Sequence, residues 1–281
     1  MEQKKAVIRI NFPFYPGHHP LDRKNALSHD LSLIPQYLKA VLKEMETAAE
    51  ELSEYEITAL HFGYGTPLLA DSDLLADFLL SAKKLGIYSD STHVSMRILP
   101  SQLSAAALTV LRNAGVNELI METCTCRSRE FAHLERPYYF SAFDGAVSLL
   151  TMYRQEGVHH ELLAGIPEQT GNTIKETIDY VLKSDPSGII LKSFIENENS
   201  KELIKAASQE LIDAGMTEYK PYCYAFPGKE HHYLLNEDTD LIGFGVCALT
   251  SLDGMKYRNT DNIYVYIAHS GELEAIASLI K

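Results

Sequence analysis

The sequence predicts an α/β fold built from six successive β-α units followed by a smaller α+β subdomain. Three observations carry this. Short apolar runs of strand length alternate with longer segments of helical periodicity. Glycine and proline punctuate the ends of those runs. Beyond about residue 216 the alternation stops and the apolar pieces become short and broken by Gly, Pro, Asn and Asp. Strands separated by helices lie parallel and connect by right-handed crossovers, so the first part is either a doubly wound sheet or a barrel.

The first strand is expected within residues 6–12, where Val7, Ile8, Ile10 and Phe12 alternate with Arg9 and Asn11 until Pro13 and Pro16 break the run. Leu38, Val41, Leu42 and Met45 have helical spacing and predict a helix over 33–53. A second strand at 57–62 ends in Gly63-Tyr64-Gly65-Thr66-Pro67, and the helix containing Leu74, Leu75, Phe78 and Leu79 follows it. The third strand is expected at 93–99, and a helix near 101–113 stops at Ala114-Gly115. Strand four, 118–124, leads to a helix at 139–156, and strand five, 158–164, stops at Gly165-Ile166-Pro167. A helix at 172–184, capped by Asn172 or Thr173, precedes strand six at 189–194 and a helix at 199–215. In the subdomain, 217–281, strand-like pieces are expected at 219–226, 243–251 and 264–268, with a closing helix at 271–280.

Composition excludes several functions. At 281 residues and 46% hydrophobic, the chain can bury a large core. A net charge of -13 opposes binding to phosphate backbones, so no nucleic-acid partner is expected. Without an apolar run of about 18 residues, no membrane span is expected. The amino-terminal stretch lacks the features of a secretory signal, which makes a cytoplasmic protein the expectation. Cys124, Cys126, Cys223 and Cys247 are too few and scattered for a disulfide scaffold.

Several of these stretches resemble one family in the correct order. Phe12-Pro13-Phe14 resembles the strand end that precedes the Cys-x3-Cys-x2-Cys loop of the radical S-adenosylmethionine (SAM) coproporphyrinogen III oxidase and heme-chaperone family. Phe62-Gly63-Tyr64-Gly65-Thr66-Pro67, Leu111 to Asn117, Gly165-Ile166-Pro167-Glu168-Gln169-Thr170, Gly243-Phe244-Gly245 and Tyr257-Arg258-Asn259 are similar to later family motifs. The resemblance implies a partial (β/α)6 TIM-like barrel of the radical SAM type over 1–216. Here, however, the three cysteine positions read Tyr15, His19 and Asp22. A phenol, an imidazole and a carboxylate are not the soft thiolates a [4Fe-4S] cluster needs, so no cluster is expected.

By the same alignment, Gly63, Gly65 and Thr66 would cradle SAM, Arg136 and Glu161 would keep family roles, and Arg97 and Cys124 replace the family's Glu and Gln. Strand parity around those anchors points Arg9, Asn11, His61, His93, Arg97, Glu122, Cys124, His159, Glu161 and Lys192 inward. A barrel packed for stability alone is filled with branched apolar side chains, so this interior reads as a polar cavity or as a network of ion pairs such as Arg97 with Glu122 and Lys192 with Glu161. Arg9, Arg97, Arg136 and Lys192 suit a carboxylate-bearing ligand. His18, His19 and Asp22 lack the spacing of a metal site, and none is expected there. Tyr15 reads as a plug for the vacated cluster space.

Two functions follow. In the first, the protein binds SAM or a similar metabolite and performs polar, non-radical chemistry through Glu161, His159, Arg97 and Tyr15. In the second, it is a non-catalytic binder of heme or another tetrapyrrole, or the protein partner of an intact radical SAM enzyme.

Overall fold

The computed structural model describes residues 3–15, 30–134, 141–236 and 239–280. Alternation along the strands sets the layers. Ile8 and Ile10 of β1 (Lys4–Ile10), Leu60 and Phe62 of β2 (Tyr55–Phe62), and Val94, Met96 and Ile98 of β3 (His93–Ile98) point to one face, where helices cover them. The apolar stripes of α1 (Ile34–Leu52), α2 (Ser72–Lys84) and α3 (Ala105–Asn113) supply that cover, with Val41, Met45, Phe78, Leu79 and Leu108 fully buried. The pattern repeats through β4 (Val116–Cys124), α4 (Ser128–Ala132), α5 (Ser141–Met152), β5 (Val158–Ala164), α6 (Gly171–Leu182), β6 (Gly188–Ser193) and α7 (Glu198–Asp213).

Strands β1 to β6 lie side by side in sequence order, all parallel. The expected six β-α units are therefore present. The α6 cap is Thr170, not Asn172 or Thr173: its side chain accepts from the Thr173 amide while the Thr173 hydroxyl accepts from the Thr170 amide.

Residues beyond 216 lengthen the same sheet at both of its edges. β7 (Thr217–Lys220) and β8 (Cys223–Ala225) continue it antiparallel beyond β6. After α8 (His232–Asn236), β9 (Asp240–Phe244) pairs parallel with β1, and β10 (Leu249–Leu252), β11 (Met255–Asn259) and the final strand extend that edge antiparallel. Two expectations here fail. Tyr264 to Ala268 lies in a helix, α9 (Ile263–His269), because Asn262 caps it and a helical turn buries Tyr266. The closing helix is only α10 (Leu273–Ile276), since Ala277–Leu279 pairs with β11 as β12.

A buried carboxylate ties this edge to the barrel. Glu44 of α1 accepts from Asn259 Nδ2 at 2.7 Å, from the Gly245 amide at 3.0 Å and from the Tyr266 hydroxyl. Burial pushes the Glu44 carboxyl up to about 7, against those three hydrogen bonds. Among the described residues, no helix is long and apolar enough to cross a membrane.

Candidate functional site

The inward-pointing residues fall into two groups along the barrel axis. Toward the carboxyl ends of the strands, Arg97 of β3 stands between two buried carboxylates. Its guanidinium donates to Glu122 Oε2 and to Glu161 Oε1, both at 2.8 Å. Lys192 of β6 pairs with the other oxygen of Glu161, and Tyr15 donates to Glu122 Oε1 at 2.9 Å. Glu122 and Glu161 are 0% and 2% exposed, so these partners replace water for both carboxylates. Burial alone would raise the Glu161 carboxyl, but Arg97 and Lys192 outweigh it and hold it at about 2.

Tyr15 is 1% exposed and packs with Leu99, Cys124, Phe131, Leu134, Leu163 and Ile166. The Cys124 backbone is left-handed, φ 63°, and its thiol lies 3.8 Å from Glu122 Oε1. Arg9 and Asn11, at the end of β1, present Nε and Oδ1 atoms that are buried without a hydrogen-bond partner among the described residues. Thr66 Oγ1 is buried in the same condition.

The Gly63-Tyr64-Gly65 loop has a packing role that the sequence does not disclose. Phe12 donates to the Tyr64 carbonyl and Thr66 donates to the Phe14 carbonyl, which zips the loop to the segment leaving β1. At Gly65, φ is +88° and a Cβ would stand 1.7 Å from the Phe12 carbonyl oxygen. At Gly63 a Cβ would meet His61 Nε2 at 2.5 Å and Arg97 Cβ at 2.9 Å. The expected result for Gly65→Ala is therefore a loss of about 3 kcal/mol or more, read from urea unfolding without any ligand. An unchanged unfolding midpoint would show that the loop can part from Phe12 at little cost.

Below this cluster the barrel is filled with imidazoles. His61 bonds Ser95 Oγ at 2.8 Å and stacks on Tyr233 with ring centroids 4.9 Å apart. The His231 ring lies 5.9 Å from that of His61 and 4.9 Å from that of His159, so β2 and β5 curl around one imidazole from the residue just before α8. In a flat sheet these strands would stand about 14 Å apart. His159 is 1% exposed, and neither ring nitrogen has a hydrogen-bond partner among the described residues. Burial pushes His61 down to about 3, helped by Arg9, Arg97 and Lys192, and burial with His232 nearby does the same for His159. His160 points outward, meets Thr123 Oγ1 at 2.8 Å, and is likewise pushed down to about 3 by burial.

The structure thus brings together Tyr15, Arg97, Glu122, Glu161 and Lys192 of the predicted residues, and places His159 separately, beside His231 and Gly188. Arg136, His18, His19 and Asp22 lie outside the described residues. Sequence reading missed Glu118 and the entry of His231 and Tyr233 into the barrel. Glu118 shares the parity of Glu122 and was open to the same inference; the path of α8 had no comparable signal.

Tested against a [4Fe-4S] cluster, the residues do not fit. All four cysteines lie at 124 or beyond, and Tyr15 is committed to Glu122 within an apolar shell. Tested against SAM, Arg9 Nε, Asn11 Oδ1 and Thr66 Oγ1, buried and without hydrogen-bond partners among the described residues, fit a polar ligand with a carboxylate.

No family model matches the chain. It is similar to the heme chaperone HemW of Synechocystis sp., 22% identical over 246 residues that cover 80% of this chain and 59% of that protein. The oxygen-independent coproporphyrinogen III oxidase of Bradyrhizobium diazoefficiens is 20% identical over 192 residues, covering 68% of this chain and 43% of that one. The chain thus spans about half the length of these two relatives. Among solved structures, coproporphyrinogen III oxidase (HemN) from Escherichia coli, a radical SAM enzyme, superposes with a TM-score of 0.85 at 15% identity, over 99% of this chain and 73% of that one. The chain is thus similar in sequence to heme chaperones and oxygen-independent coproporphyrinogen III oxidases, and it shares the fold of coproporphyrinogen III oxidase (HemN).

Proposed function

We propose that the protein binds a carboxylate-bearing small molecule, SAM or a similar metabolite, at the carboxyl ends of the barrel strands without a [4Fe-4S] cluster. The observation that carries this reading is Arg9. Its half-buried guanidinium has an Nε with no hydrogen-bond partner among the described residues, whereas Arg97 and Lys192 are matched to Glu122 and Glu161. A cation held inside a barrel next to partnered ones is a recognition group for an incoming anion. Asn11 Oδ1 and Thr66 Oγ1 supply an acceptor and a hydroxyl for the remainder of the ligand. Lys192, whose side chain is 43% exposed, marks the solvent side of the site.

Once bound, SAM would present an electrophilic methyl group, and a polar reaction needs a base that is free of its proton at neutral pH. Glu161 is free of its proton beside Arg97 and Lys192, but those cations also weaken it as a base, so its role is that of a fixed negative charge facing the sulfonium rather than a strong proton acceptor. Tyr15, donating to Glu122, and His159, neutral deep in the barrel, are placed for support rather than for contact with the same ligand atom.

A second reading is favoured by Tyr15, which stands in a family cluster-ligand position and packs with Leu99, Phe131 and Ile166. In that reading the site holds the propionates of a heme or other tetrapyrrole, or the chain serves an intact radical SAM partner, and it does no chemistry. Isothermal titration with SAM and with heme separates the two. The expected result is SAM binding that weakens at least tenfold in Arg9→Ala, with no iron-sulfur absorption after anaerobic reconstitution. Heme binding with a Soret band, and no heat from SAM, would replace the first reading with the second. A reconstituted cluster would overturn both.

A further inference from the structure

We propose that His93, Glu118 and His232 form a binding site for one divalent transition-metal ion at the amino-terminal end of the barrel strands, opposite the charged cluster. One donor atom from each lies within 4.8 Å of the other two. They come from three elements: the first residue of β3, the start of β4 and the first residue of α8. Two imidazoles and one carboxylate are a donor set that suits zinc and its neighbours in the transition series, and three protein ligands leave a position open.

The open side faces a cleft of about 510 Å³, lined also by Asn117, Gln155, Asp185 and Lys229. His159 lines the same cleft while 1% exposed and without a hydrogen-bond partner at either ring nitrogen among the described residues. His231 stands just behind, its Nε2 3.8 Å from Glu118 Oε2 and likewise without a hydrogen bond among the described residues. An imidazole buried in the wall of a cleft with neither nitrogen satisfied is destabilising unless something meets it. Its presence here, facing the same space as three metal-capable side chains, points to a guest that those nitrogens can meet directly or through bound water.

Little has to move. Glu118 now accepts from His232 Nδ1 at 2.6 Å, and the His93 and His232 rings stack with centroids 3.3 Å apart and planes 5° apart. Donor atoms around one tetrahedral ion stand about 3.3 Å from each other, so no pair has to close by more than about 1.5 Å, and Glu118 and His232 have to part slightly. His232 can turn out of the stack to do this, since its side chain is 43% exposed and it begins a helix of five residues. The ion then takes the place of the Glu118 to His232 hydrogen bond, and α8 stays fastened to β4 by coordination.

The test uses the full chain without a polyhistidine tag, stripped with chelator and titrated with Co2+ under visible absorption. One Co2+ per chain is expected, with d-d bands that Zn2+ displaces stoichiometrically. His232→Ala should weaken Co2+ binding at least 100-fold while leaving the far-ultraviolet circular dichroism unchanged, and His18→Ala with His19→Ala should leave the affinity as it was. No binding at millimolar Co2+ would overturn the site and leave Glu118 and His232 as a hydrogen-bonded anchor only. Binding that survives in His232→Ala, or that is lost in the His18 and His19 variant, would place the ion elsewhere and overturn it equally.

Discussion

Acidification from pH 7 to about pH 4.5 is expected to unfold the protein in a single steep transition. His61, His159 and His160 are buried and pushed down to about 3, against 6.5 for an ordinary histidine. Between those values the unfolded chain binds a proton at each position and the folded chain does not. Their contribution is therefore complete above about pH 6.5 and is lost as the pH falls toward 3. Each histidine removes about 1.4 kcal/mol per pH unit in that range. Glu44 acts in the opposite sense. Its carboxyl, raised to about 7 from 4.5, is protonated only in the folded state across that window, so its contribution grows as the pH falls from 7 to 4.5. The net loss is about 3 kcal/mol per pH unit, or about 6 kcal/mol between pH 6.5 and 4.5, which exceeds the stability of a domain at the lower end of the usual range of about 5–15 kcal/mol. Below pH 4.5 the depressed carboxyl of Glu161 adds a further loss as it approaches 2. Urea midpoints measured from pH 7.5 to 5 check this, and a flat profile would mean that water reaches these imidazoles in the folded state.

Arg97→Ala is expected to destabilise the protein by about 3–5 kcal/mol at neutral pH, the range for removing one partner of a buried ion pair. Glu122 would keep the Tyr15 hydroxyl, and Glu161 would keep Lys192, but each would lose a guanidinium contact at 2.8 Å in a region closed to water. Adding Glu122→Gln to the variant should return part of that loss, because the amide does not need a counter-charge. Equilibrium unfolding of the single and double variants supplies both numbers. If Arg97→Ala unfolds at the wild-type denaturant concentration, the cluster is solvated and its role is confined to ligands.

The strands and the polarity of the barrel interior were legible because a two-residue period separates Ile8, Ile10, Leu60 and Phe62 from Arg9 and His61. The pairs of Arg97 with Glu122 and Lys192 with Glu161 also followed from parity, once adjacent strands were placed in order. The contact from Arg97 to Glu161 did not, since it skips a strand and depends on curvature that no local pattern encodes. Tyr264 to Ala268 misled for a related reason. Its aromatic and β-branched residues favour a strand in isolation, and burial of Tyr266 against Tyr37 and Glu44 overrides that preference. β11, Met-Lys-Tyr-Arg-Asn, carries almost no apolar alternation because it lies near the sheet's edge with most of its side chains in solvent. The path of residues 231–233 into the barrel was hidden altogether: nothing local in the His-His-Tyr run signals that β2, β4 and β5 surround it.

The position of β1 also sets an order for synthesis. As the chain leaves the ribosome, one side of β1 finds β2 within about sixty residues, but the other waits for Asp240–Phe244. Through most of translation the nascent protein therefore carries an open strand edge bearing Val7, Ile8 and Ile10, the kind of edge that recruits other chains. The last forty or so residues close it, and the Glu44 knot with Asn259 and Tyr266 fastens the closure. A chain interrupted before residue 240 would contain all six β-α units and would still leave the β1 edge open to other chains.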